Sequence, residues 1–144
     1  MADKQYLNAF MNNSATIRDV LAADVTDAPH KAVTYDAEGK LILPAADGDP
    51  AIGILLSDTA ANDSGVSKAG TEVDVLIKDI GLALAGGAIK KGEHLTATTT
   101  GAVQKAAAGN FILGIAMTAT TAAGELVQIQ MTKSGYEKAA SGGN

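Results

Sequence analysis

The feature that most constrains this chain is that its middle is written twice. Val33-Thr34-Tyr35-Asp36-Ala37-Glu38-Gly39 lies over Leu95-Thr96-Ala97-Thr98-Thr99-Thr100-Gly101, each run placing Gly six positions after an aliphatic residue. Gly53 follows Gly39 by 14 residues and Gly114 follows Gly101 by 13. They sit in the matching runs Ala51-Ile52-Gly53-Ile54-Leu55 and Ile112-Leu113-Gly114-Ile115-Ala116. Gly70-Thr71-Glu72-Val73-Asp74-Val75 then matches Gly124-Glu125-Leu126-Val127-Gln128-Ile129, and the first copy carries extra loop residues over 62–68. Each copy reads as strand, Gly turn, strand, Gly-bearing strand, loop, strand. An open solenoid covers each repeat with neighbours, and two copies are too few for that, so a closed, barrel-like pairing of halves is expected.

Local pattern makes the class mainly β. Val73, Val75 and Ile77 alternate with Asp74 and Leu76, and Leu126 to Met131 also mixes faces at period two. Lys40 to Leu43 and Ile52 to Leu56 are short apolar runs, and turn signals such as Asp36-Ala37-Glu38-Gly39, Asp47-Gly48-Asp49-Pro50 and Gly86-Gly87 lie between runs. Gly53 and Gly114 stand inside strand-like runs, where a missing Cβ marks a bulge or a close backbone approach. The core is thin. The chain has 28 Ala against 30 Val, Ile and Leu, with three Tyr, two Phe and no Trp. Ala contributes far less than the roughly 1.5–3 kcal/mol of a buried Leu or Phe, so burial against a partner or another copy is the natural remedy.

Three zones follow: an Asn/Asp/Ala-rich arm over 1–28, a β domain over 29–132, and a small, polar tail over 133–144 that reads as flexible. In the first zone Tyr6, Leu7, Phe10 and Met11 have the spacing of one helical face, which Ile17, Val20 and Leu21 could continue beyond the break at Asn12-Asn13-Ser14. So short a helix does not hold alone in water. Two readings stand: a helix packed on its own domain, or an arm that docks on another subunit or partner. Removing 1–28 is expected to leave a folded β domain but to weaken docking.

Several functions lose their chemical basis. No run approaches the ~20 apolar residues of a membrane helix, and the N-terminus is too polar for a signal peptide. With no Cys there are no disulfides or thiolate sites. The net charge is −5 and the basic residues are scattered without aromatic platforms, which argues against nucleic-acid binding. His30 and His94 read as turn or surface residues, Ser57-Asp58 and Ser64 lack companions for a triad, and Asp47-Gly48-Asp49 reads as a tight turn, without the ligand pattern of a calcium loop. Lys105 lacks the flanking residues of a prosthetic-group carrier. No catalytic, cofactor-binding or metal-binding residue is assigned, and an enzyme is not expected.

Taken together, Gly-Gly-Ala-Ile-Lys-Lys-Gly-Glu-His-Leu (86–95), Gly-Ala-Val-Gln-Lys-Ala (101–106), Ile-Leu-Gly-Ile-Ala (112–116) and Ala-Ala-Gly-Glu-Leu-Val-Gln-Ile (122–129) resemble the capsid cement, or head decoration, proteins of tailed bacteriophages. Gly39-Lys40-Leu41 and Ala51-Ile52-Gly53-Ile54-Leu55 resemble more distantly the lambda-type head decoration protein. The resemblance covers about residues 29–131. It implies a β-rich virion protein, made in the host cytoplasm, that binds the major capsid protein on the outside of the mature head and stabilises it. A homotrimer at threefold and quasi-threefold positions is implied as well. In lambda-type proteins the N-terminal segment becomes ordered on the shell, which makes Tyr6, Leu7, Phe10, Met11 and Ile17 the expected capsid-binding residues. The alternative is another virion module, such as the base of a head fibre.

Overall fold

The structure, a computed structural model, describes residues 14–141. These residues form twelve strands and no helix: β1 (Thr16–Val20), β2 (Val25–Thr26), β3 (Ala32–Tyr35), β4 (Leu41–Ile42), β5 (Gly53–Leu55), β6 (Val66–Ser67), β7 (Glu72–Leu76), β8 (Ile80–Leu84), β9 (His94–Ala97), β10 (Val103–Lys105), β11 (Gly114–Ala116) and β12 (Leu126–Met131). One five-stranded sheet runs β1-β7-β5-β3-β4, the other β10-β9-β11-β12-β8, and β2 pairs with β6 alone. The ladders are antiparallel.

The second sheet is the first repeated residue by residue. Ile54 opposite Leu76 becomes Ile115 opposite Gln130. Tyr35 opposite Leu41 becomes Ala97 opposite Val103. Thr16 opposite Leu76 becomes Ile80 opposite Gln130. The glycines at the centre of each sheet explain why the sequence repeats there. A Cβ on Gly53 would fall on the carbonyl oxygen of Leu76 and 2.7 Å from Val75 Cγ1; on Gly114 it would meet the Gln130 carbonyl oxygen and lie 2.7 Å from Ile129 Cγ1. The extra loop of the first copy is used to make β6, which pairs with β2 and has no counterpart in the second half.

The expected barrel does not close. In each half the edge strands meet through one parallel bridge, Leu21 to Leu41 and Ala85 to Val103, and the ladder goes no further. The strands are only two to six residues long, so each pair is joined by few ladder bonds. Two apolar clusters result. One is formed by Leu21, Val25, Ala28, Val33, Leu41, Leu55, Val73 and Val75 within the first half. The other combines second-half residues, among them Leu95, Leu113, Val127 and Ile129, with Ala32, Ala51, Ile54 and Leu76 of the first. Ala32, Ile54 and Leu76 form one cross-strand row on the face of the first sheet turned away from its own core. That row joins the halves.

Both ends of the β domain extend past the bounds read from the sequence. Leu21, Val25 and Ala28 are fully or nearly fully buried and β1 pairs along its whole length with β7, so the segment from Thr16 is sheet and core. At the other end, the Ile112 N–H donates to the Gly135 oxygen (2.7 Å) and the Glu137 N–H to the Asn110 oxygen (2.7 Å). Phe111 meets Tyr136 edge to face with centroids 5.7 Å apart.

Candidate interaction surface

Side chains with reactive potential are used to hold turns or chain ends. Asp47 Oδ1 accepts the Thr99 N–H at 2.8 Å and Asp49 Oδ2 the Ala46 N–H at 3.1 Å, which fixes the loop that seats Gly48 against Asn110. His30, at φ 69°, turns the chain into β3; its Nδ1 lies 3.3 Å from the Leu82 oxygen, which requires an N–H there. His94 Nδ1 lies 2.6 Å from Glu137 Oε2 and holds the C-terminal segment. The two histidines serve separate contacts. Lys105 Nζ stands 3.6 Å from Glu93 Oε1. No group of three or more His, Cys, Asp or Glu suited to a metal ion occurs among the described residues.

The informative surface appears when the two sheets are compared position by position. In the first sheet, the outward side chains of β1 and β7 include Arg18, Glu72 and Asp74; the Arg18 guanidinium lies 3.2 Å from Glu72 Oε2 and 3.6 Å from Asp74 Oδ1. By register the same positions in the second sheet are Leu82, Leu126 and Gln128. Thr16 becomes Ile80, Val20 becomes Leu84 and Leu76 becomes Gln130. The β8–β12 face therefore carries no charge, and Ile80, Leu82 and Leu126 are 49%, 44% and 44% exposed. Three large aliphatics uncovered on one sheet face form an apolar patch of the sort that marks a contact site. Its strand edge is partly covered, since the Leu84 N–H donates to the His30 oxygen at 2.9 Å.

Of the residues singled out in the sequence for capsid contact, Tyr6, Leu7, Phe10 and Met11 lie outside the described residues. Ile17 is on β1, half-buried, and packs on the first cluster. The β8–β12 face escaped the sequence because Ile80-Gly81-Leu82-Ala83-Leu84 has small or apolar residues on both faces and no alternation. The signal that finds it is the repeat itself, extended back to β1 and β8: an Arg in one copy stands where the other has Leu.

A family model described as structural cement protein (E217 gp24/Pam3 gp6) matches residues 9–132. Among solved structures, the chain is similar to the N base of head fiber gp8.5 in bacteriophage phi29 at 19% identity and a TM-score of 0.52, over 85% of this chain and 97% of that one. At that identity the likeness concerns the fold alone. No curated protein matches the chain.

Proposed function

The chain belongs to the phage structural cement proteins, and from that premise we propose that it grips the outer surface of the mature head through the uncharged β8–β12 face. The observation that carries this reading is the exchange of Arg18, Glu72 and Asp74 in one sheet for Leu82, Leu126 and Gln128 in the other. Large apolar side chains on a sheet face gain from burial wherever a partner covers them. In this reading the partner is the major capsid protein, the assembled form is a homotrimer at threefold and quasi-threefold positions, and the protein is made in the host cytoplasm before it joins the virion. It acts by attachment alone, with no bond made or broken. Many copies that bind one state of the shell stabilise that state by mass action.

The test is co-sedimentation with expanded and unexpanded shells. Leu82→Lys is expected to weaken retention on expanded shells at least ~10-fold, about 1.4 kcal/mol, while Arg18→Ala leaves it unchanged. Wild-type retention of Leu82→Lys would overturn the assignment of the face. A second reading, the base of a head fibre, draws on the fold shared with the phi29 head fiber base. Cryo-electron microscopy of particles separates the two, because a fibre base carries further density on its outer side.

A further inference from the structure

Charge divides the doubled chain unequally. Residues 14–79 hold 12 Asp and Glu against 5 Lys and Arg, a net charge of −7. Residues 80–141 hold 3 Glu against 5 Lys, a net charge of +2. Four of those five lysines gather at one end of the second sheet, where β9 begins and β10 ends. A cavity of about 540 Å³ opens there, lined by Glu93, His94, Lys105, Glu137 and Lys138 among others. Lys90 and Lys91 immediately precede Gly92, which also lines it. The carboxylates of the cavity are already engaged. Glu93 Oε2 accepts the Lys90 N–H at 2.9 Å, and its Oε1 lies 3.6 Å from Lys105 Nζ. Glu137 Oε2 lies 2.6 Å from His94 Nδ1, and its Oε1 accepts the Lys138 N–H at 3.2 Å. The donors are not. Lys105 Nζ stands beyond hydrogen-bond distance, and the ammoniums of Lys91 and Lys138 meet no partner among the described residues. The N–H groups of Ala108 and Ala140, which also line the cavity, donate to none of the described residues either. A cavity with donors to spare fits an anionic surface.

The complementary surface lies on the first half of the same chain. Asp58, Glu72 and Asp74 line one small hollow, with Arg18 as the one cation among its lining residues. Asp58 belongs to the loop over 57–64, which is exposed except at Thr59 and also carries Asp63. The matching segment of the second half, 118–123, carries no charged residue. We infer that this acidic surface of one copy docks on the basic cavity of a second copy, joining the first half of one chain to the second half of its neighbour. Opposite charge fixes that pairing and disfavours the joining of two first halves, which brings like charge together. A contact between two different patches closes into a ring when the rotation between neighbours allows it. The contact rests on the homotrimer of the proposed function and supplies the joint between its copies, each still held to the shell by its own β8–β12 face.

The test is sedimentation velocity of the full chain in about 0.05 M salt, with circular dichroism to verify folding. Wild-type copies are expected to associate as concentration rises. Lys105→Glu combined with Lys138→Glu should weaken self-association at least ~10-fold, and so should Asp58→Lys combined with Asp74→Lys. All four changes in one chain should restore the contact, which a misfolded variant cannot do. Association unmoved by either pair, a fourfold variant no stronger than its parents, or a wild type still monomeric at ~1 mM would each overturn the inference. Loss of shell retention in the lysine variant with self-association intact would overturn it too, by giving the cavity to the capsid protein. Wild-type copies that associate and respond to charge reversal, yet ignore both expanded and unexpanded shells, would refute the capsid reading and leave this contact standing.

Discussion

Gly53 and Gly114 are where the two halves tolerate no side chain. Because the obstructing atoms are backbone carbonyl oxygens, a neighbour cannot swing aside, and the strand pairs β5–β7 and β11–β12 must part. Gly53→Ala and Gly114→Ala are each expected to cost about 1–3 kcal/mol in urea unfolding. Gly87→Ala, with open space around its Cβ, should be neutral or stabilise by about 0.4–1 kcal/mol. Acid sensitivity also resides in single residues. The Lys68 ammonium and the Ala69 N–H hold the Asp24 carboxyl below its ordinary range, and the Thr121 N–H and hydroxyl do the same for Glu125. A carboxylate depressed in the folded state contributes stability above its unfolded pKa and loses it as pH falls through the folded one. Asp24→Asn and Glu125→Gln should therefore flatten the fall of Tm below about pH 4 and change its slope little near neutrality. The glycine pair was legible in the sequence because a steric demand leaves the same residue in both copies. The His94–Glu137 contact was not, since it joins residues 43 positions apart through side chains that either solvent or a partner could satisfy.

At the scale of elements, the strands with alternating or β-branched runs emerged from the sequence: β5, β7 and β12 lie within the runs that read as strands, and β4 within the Lys40 to Leu43 run. Those that escaped are β2 and β6, two-residue strands in stretches that read as arm and loop, and β1 and β8, the first strand of each copy, neither of which shows a clean alternation. β8 is apolar on both sides: Ala83 meets the core, while Ile80 and Leu82 lie on the exposed face. β1 carries Arg18 and Asp19 amid its aliphatics, which breaks its apolar run and leaves it reading as an arm. Removing 1–28 therefore has a different consequence from the one its composition suggests. The deletion takes away all of β1 and β2, together with the buried Leu21, Val25 and Ala28. Circular dichroism of a protein beginning at Pro29 should show loss of the cooperative transition. At the other terminus, Lys133→Ala removes the two bonds to the Ile52 and Ile77 carbonyls and should lower Tm, with burial of its ammonium limiting the loss.

For the whole molecule, the expectation of two related halves stands, and that of a closed barrel gives way to two open sheets. The halves differ in their outward faces: one is salt-bridged, its counterpart is neutral, and the proposed attachment uses the neutral one. Contact through a neutral face depends little on screening. Retention on shells should change less than about threefold between about 0.05 and 0.5 M salt, whereas a charge-paired contact would weaken steeply. Co-sedimentation across a salt series measures this directly.

Leu76 grows from one sheet and is buried in the core of the other, so neither repeat owns a complete interior. A break in the peptide chain near Lys78 should leave two pieces that are each unfolded alone and regain structure only when mixed. Calorimetry of the intact protein should record one transition. The two sheets then melt as a single unit, and neither half can loosen unless the other does.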